Sequence, residues 1–341
     1  MSIKETTRAL TALDGPSGFE SPVAARAAEL LRPLTDELQS DALGNLIAVR
    51  RCGRPDAKKL LLDAHMDEVG FIVTEVTEGF LKFAAIGGVD SRTLPGREVR
   101  VLAEPPLYGV VACLPPHVLT AEQREKAVEI KDLFIDVGLS DEEAKKRVPI
   151  GTPGVYDGPL FDLAGDSFTG KALDDRLCVA VLADALAQLQ NTVLDFDLYV
   201  LVSTQEEVGL RGAGPGAFQV DPDYCIAVDV THARTPDAPK IDTFEPGKGC
   251  TIGVGPNASR GITQALLDVA EKQRIPHAVE VMPASSGTNG WAIQTLRQGI
   301  ATAIVSVPLK YMHSPMETVR LADAQAAADL IAAFCRGGWL K

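Results

Sequence analysis

Aromatic residues make up only 5% of the 341-residue sequence, and no uninterrupted apolar run approaches the roughly 18 to 20 residues that span a bilayer, which argues against membrane insertion. Positive charge is also scarce. The 33 Lys and Arg face 46 Asp and Glu, for a net charge of −13. A phosphate backbone is gripped mainly by clustered cations, so nucleic acid is not the expected partner. The six cysteines (Cys52, Cys113, Cys178, Cys225, Cys250, Cys335) stand at least 25 residues apart, so there is no CxxC zinc or redox motif. They read as free thiols in a reducing compartment. The N-terminal stretch MSIKETTRALTALDGPSGFE has no continuous apolar segment before a small-residue cleavage site, so a cytoplasmic location is expected. What is present, 46% hydrophobic and 23% charged residues, describes a globular chain long enough for two domains.

The pattern of elements divides the chain. Helical spacing at Thr6 to Leu13 and Ser21 to Leu31 precedes strand-like runs at Leu46 to Val49 and Lys59 to Ala64, the second of which delivers His65. From about Phe71 to Phe161 the texture becomes short β-rich runs (FIVTEV, FLKFAAI, REVRVLA, YGVVACL) separated by Gly and Pro. Within it, Ala121 to Arg147 holds eight acidic and six basic residues and reads as a solvated helical face or loop. After Gly170 strands and helices alternate again: strands at Phe196 to Ser203, Tyr224 to Val230, Gly249 to Gly255, His277 to Val281 and Ala301 to Val307, with helices at Asp175 to Leu189, Gly261 to Gln273, Asn289 to Gln298 and Leu321 to Cys335. The alternation predicts an α/β protein, an αβα-layered domain formed by residues 1–66 and 165–341, interrupted by a small β-rich insert at 67–164.

Chemistry-bearing residues stand where strands of the layered domain should end. His65 opens HMDEVGF, and the His-x-Asp spacing lets Asp67 orient the imidazole. Asp174 and Asp175 precede a long apolar helix, where a helix cap and an acidic first turn are the plainer reading. Glu206 and Glu207 follow the strand Leu198 to Val202. Neighbouring strand residues face opposite ways, so both can serve one site only where the strand ends and the backbone turns. Asp229 ends YCIAVDV, and His313 sits in YMHSPMETV after a strand. Together the imidazoles and carboxylates form a ligand set for two borderline cations of the zinc kind. His117, His232 and His277 read as loop, surface or packing residues. Gly253 and Gly255 lack the GxGxxG context, and no GxSxG elbow is present for a serine hydrolase.

At this point the sequence resembles the glutamyl and deblocking aminopeptidases of the tetrahedral type, which are di-metal exopeptidases. The likeness runs through GPSGFE, DALGN, HMDEVGF, IGGVDSR, LPPH, KDLFIDVG, GKALDDR, STQEEVGLRGA, AVDVT and YMHSP. It implies that Asp174 bridges two metals, that His65 and Asp229 complete one site and Glu207 and His313 the other, and that Glu206 is the general base with Asp67 supporting His65. It further implies a co-catalytic metallopeptidase fold with a PDZ-like or barrel-like insert that mediates assembly, a homo-oligomer of twelve subunits, and peptide substrates with a free N-terminus. Zinc or cobalt are the expected metals, with manganese or magnesium as alternatives. One departure stands out: the family usually has Gly-Thr-Asp where this chain has Asn289 in SSGTNGW. A metal-dependent deacylase or dipeptidase on the same scaffold is the nearest alternative function, and a silent peptide-binding assembly protein a more distant one. A glycosidase needs carboxyls free of metal, which this ligand set does not leave.

Overall fold

Two separate β-structures organise the computed structural model, which describes residues 1–236 and 238–337. The last positions of the expected second segment, 338–341, lie outside the described residues. In chain order the first part holds α1 (Ile3–Thr11), α2 (Ser21–Leu31), β1 (Glu37–Ser40), β2 (Leu46–Arg50) and β3 (Lys59–His65). The middle part holds β4 (Gly70–Thr77), β5 (Phe80–Ile86), β6 (Glu98–Val101), β7 (Leu107–Ala112), α3 (Ala121–Glu125), β8 (Phe134–Asp136), α4 (Asp141–Arg147) and β9 (Pro153–Tyr156). The last part holds β10 (Phe161–Asp162), β11 (Ser167–Gly170), α5 (Leu173–Leu189), β12 (Asp197–Ser203), α6 (Ala213–Val220), β13 (Tyr224–His232), β14 (Cys250–Val254), α7 (Arg260–Gln273), β15 (His277–Val281), α8 (Gly290–Ile293), β16 (Ala301–Lys310), β17 (Glu317–Arg320) and α9 (Leu321–Arg336).

The large sheet runs β1-β2-β12-β3-β13-β16-β17-β11-β10, with β14 against β16 and β15 beyond it. Its centre, β12-β3-β13-β16, is parallel. These strands are buried on both faces, which is why KLLLDAH and DLYVLVS read as continuous apolar runs without alternation. Leu60, Leu62 and Ala64 pack with α1, α2, α5, α7 and α9 on one face. Leu61 and its neighbours Tyr199 and Leu201 pack with α6 and α8 on the other. The expected αβα layering is therefore the observed one.

The strands β4-β5-β8-β7-β6-β9 close into a barrel around Phe71, Leu81, Val99, Val101, Val111 and Ile135. The charge-rich stretch departs from its reading as helix or loop, because β8 runs through it. Leu133 and Ile135 are fully buried in the barrel, and a strand of three residues is too short to announce itself by alternation. The helix expected over Asn289 to Gln298 shrinks to α8. Positive φ at Arg297 (52°) and Gly299 (95°) turns the chain there.

Candidate metal centre

β3 and β12 end together, level with Asp229 on the longer β13, and the site lies at this carboxyl side of the sheet, as is usual for an α/β sheet. His65 is the last residue of β3 and pairs in register with Ser203, the last of β12. Glu206 and Glu207 lie in the turn just beyond it. Asp229 stands on β13, opposite Ser306 of β16. His313 follows the end of β16, in the left-handed conformation (φ 60°).

Asp174 lies at the centre. Its Oδ1 is 3.1 Å from His65 Nε2 and its Oδ2 is 3.4 Å from His313 Nε2. Each histidine has a second acid: Asp229 Oδ1 lies 4.0 Å from His65 Nε2, and Glu207 Oε2 lies 3.3 Å from His313 Nε2. Asp174 and Asp175 break the start of α5, where neither has helical dihedrals, so the regular helix runs on only after them. Asp175 turns under β3, where its Oδ2 accepts the His65 backbone N–H at 3.2 Å.

Asp67 supports more than the imidazole of His65. His65 Nδ1 lies 3.3 Å from its Oδ1, a close approach that lacks hydrogen-bond alignment. Its oxygens also accept the backbone N–H groups of Glu206 (3.0 Å) and Glu207 (3.2 Å), and the Ser17 hydroxyl donates to it at 2.6 Å. One buried carboxylate thus ties β3 to the loop bearing both glutamates.

The electrostatics are those of an acid cluster short of positive charge. Burial raises Glu206 to about 7, with Asp174, Asp67 and Asp63 adding to the rise against the pull of His65. Burial likewise pushes Glu207 and Asp229 far above the ordinary carboxylate range, with Asp174 adding to both. Asp174 and Asp67 go down instead: burial would raise both, but the two histidines at the oxygens of Asp174, and His65 with its other donors at Asp67, overcome that.

The sequence matches the M42 glutamyl aminopeptidase family over residues 44–330. It is 36% identical over 323 residues to a lysyl aminopeptidase of Pyrococcus furiosus, covering 93% of this chain and 91% of that one. The chain belongs to the M42 glutamyl aminopeptidase family. Among solved structures it is similar to an aminopeptidase from the archaeon Desulfurococcus kamchatkensis (TM-score 0.92, 34% identity, 99% of this chain and 96% of that one). It is also similar to the TET1 peptidase of Pyrococcus horikoshii (TM-score 0.86, 32% identity, 98% of this chain and 100% of that one). It is an aminopeptidase, a hydrolase acting on peptide bonds.

M42 peptidases depend on metal, and the donors here fit one. Three ligand groups lie within 4.8 Å among themselves: His65, Glu206 and Asp229; His65, Asp174 and Glu207; and Asp174, Asp175 and Asp229. Imidazole and carboxylate oxygen together suit borderline divalent ions, and bound cations would relieve the mutual repulsion that raises these acids.

Several supporting residues escape sequence reasoning. Glu317 accepts the Asp174 N–H at 3.0 Å and the His313 N–H at 2.9 Å, so one buried carboxyl holds the backbones of both residues. Glu20 accepts the Gln205 N–H, and Asn45 accepts the Thr204 N–H while donating to the Gly212 carbonyl. GPSGFE and DALGN therefore brace the glutamate loop. Gly88 of the barrel side offers its carbonyl to His313 Nδ1 at 3.1 Å, and a Cβ there would lie 2.6 Å from that nitrogen. Only their membership in shared motifs pointed to Gly88, Glu20 and Asn45. Asn289 is buried and donates to Asp63 (2.8 Å) and Ser203 (2.8 Å), tying the start of α8 to β3 and β12. His117 is exposed in a barrel loop and His277 bonds the Ile275 carbonyl, whereas His232, read as surface or packing, lines the cavity over the site.

Proposed function

We propose that this protein removes N-terminal residues from peptides at a centre holding two divalent ions, zinc or cobalt, with Glu206 as general base. The observation that carries this reading is Asp174, whose two oxygens face two histidines, each with a further acid at hand. His65 and Asp229 would hold one ion, His313 and Glu207 the other, and Asp174 both. Two such cations would supply Lewis acidity to the scissile carbonyl and to the attacking water. Glu206 takes the proton from the water and returns it to the leaving amine, so its carboxyl ends as it began. Burial suits it to both steps, since a carboxyl raised toward neutrality gives up its proton as readily as it takes it. Asp67 fixes the ring of His65 and the backbone of both glutamates.

The reading extends to assembly. Residues 1–66 and 165–341 would form the catalytic part, and 67–164 a part that joins subunits into a homo-oligomer. The Pyrococcus horikoshii relative assembles into a tetrahedron or a large octahedral shell. The insert here presents exposed apolar side chains, among them Tyr108, Leu114, Val118 and Ile150, which support an interface. Twelve subunits is the expected count, read by light scattering.

The test of the activity is hydrolysis of a matched peptide pair, free and N-acetylated, after chelation and after adding back zinc or cobalt. Cleavage of the free peptide alone, restored by metal, is the expected result. Cleavage of the acetylated peptide would make the enzyme a deacylase or endopeptidase instead.

A further inference from the structure

One carboxylate in the cavity takes no part in the chemistry above. Glu280 of β15 lines the same cavity of about 470 Å3 that opens over His65, Asp174 and His313. Each of its oxygens accepts one hydroxyl: Oε1 from Thr231 at 2.7 Å and Oε2 from Thr251 at 2.6 Å. Both threonines are buried, so the carboxylate is held at a fixed place. No lysine or arginine lines the cavity, and among the described residues no ion pair engages Glu280.

Its distance from the reaction centre follows from strand geometry. Asp229 and Thr231 are two residues apart on β13, so both side chains leave the same face, roughly 6.6 Å apart along the strand. Ser306 pairs with Asp229 on one side and with Thr251 on the other, which places it on the cavity floor between the metal cluster and the Glu280 support. The Ser306 hydroxyl is buried, and among the described residues it has no hydrogen-bond partner. Met282 adds apolar wall. The cavity therefore offers an oriented carboxylate about two strand residues beyond Asp229.

We propose that this pocket receives the side chain of the substrate's N-terminal residue and selects a basic one, with Glu280 as the specificity-determining residue. The inference rests on the aminopeptidase reading of the centre. A lysine or arginine would lay its methylene stem along Met282 and bring its charged head to Glu280. A glutamate in the same place would meet like charge with no lysine or arginine lining the cavity to offset it.

The experiment compares kcat/KM of the metal-loaded full-length enzyme for Lys-Ala-Ala, Arg-Ala-Ala, Leu-Ala-Ala and Glu-Ala-Ala. The expected order is Lys and Arg first, then Leu, then Glu. Glu280→Gln, which keeps shape and can still bond both threonines, lowers the Lys-to-Leu ratio by about tenfold or more. Glu280→Lys shifts preference toward Glu-Ala-Ala, a gain that misfolding does not produce. A wild-type enzyme that favours Leu or Glu, or a Lys-to-Leu ratio unmoved in both variants, overturns the inference. Failure to cleave any of the four peptides at any metal loading overturns instead the peptidase reading beneath it.

Discussion

The parallel sheet and the barrel bury their cores by different means, and the difference decides where the charge sits. In the sheet, β12, β3, β13 and β16 are covered on both faces, so the only way out for polar groups is at the strand ends. His65, Glu206, Glu207 and Asp229 all emerge there. Barrel strands are covered on one face only, and their charged residues spread outward along the strands, as in Glu98 and Arg100 of β6. From the barrel side the Gly88 carbonyl meets His313, and Gly87 packs close to Glu207. One region concentrates acids at a point; the other disperses them and lends a contact.

The largest test of this contrast is Glu206→Gln, which removes the proposed base and leaves its volume. Turnover should fall by about 100- to 10,000-fold while metal content, measured by elemental analysis, stays at the wild-type level. Asp174→Asn should instead lose metal along with activity, since it withdraws charge from between the two histidines. Because Glu206 also falls within ligand distance of His65 and Asp229, loss of metal in Glu206→Gln would reassign it from base to ligand.

Next comes the ion cluster that seats the start of α5. Glu68 is buried and bonds Lys171 Nζ (2.7 Å) and Arg176 Nη2 (3.0 Å), both in GKALDDR and both turned away from the cavity. Glu68→Ala removes the buried counter-charge of two cations, leaving Lys171 with Asp14 at 3.3 Å and Arg176 with backbone carbonyls, and should cost about 3–5 kcal/mol in denaturant unfolding. A loss below about 1 kcal/mol would mean that the two cations find other partners and that α5 is seated by apolar packing alone.

How far the sequence foretells such detail depends on the range of the contact. The layered domain was legible because buried parallel strands and apolar helices leave patterns within ten to twenty residues, and the residues gathered around Asp174 stood out because each follows such a strand or opens such a helix. The short barrel strands β8 and β9 left no period to read. Glu317 was not legible either, since its role is set by bonds to backbone groups at Asp174, 143 residues away, and at His313. Lys171 and Arg176 flank Asp174 in sequence, yet only the fold shows them serving Glu68.

The barrel's contact through Gly88 makes a sharper test than its whole removal. Gly88→Ala places a methyl 2.6 Å from His313 Nδ1, so the ring must move off the line that joins Nε2 to Asp174 and Glu207. Activity should fall by about 10- to 100-fold, with a matching loss of metal affinity by competition with a chelator and an unchanged unfolding midpoint. If the rate is unchanged, the barrel contributes nothing to the reaction, and the division of labour between the two regions is complete.

The smallest effect belongs to Ser17, one step further from the metals. Its hydroxyl donates to Asp67 Oδ2 at 2.6 Å, but Asp67 keeps the Glu206 and Glu207 N–H groups when that donor is lost. Ser17→Ala should therefore slow turnover by less than about tenfold and leave metal content intact. Asp67→Ala releases the imidazole and the glutamate loop together and should lose far more. A Ser17→Ala defect as large as that of Asp67→Ala would show that Asp67 is oriented chiefly from the N-terminal GPSGFE loop. The backbone of the glutamate loop would then follow Asp67 instead of holding it.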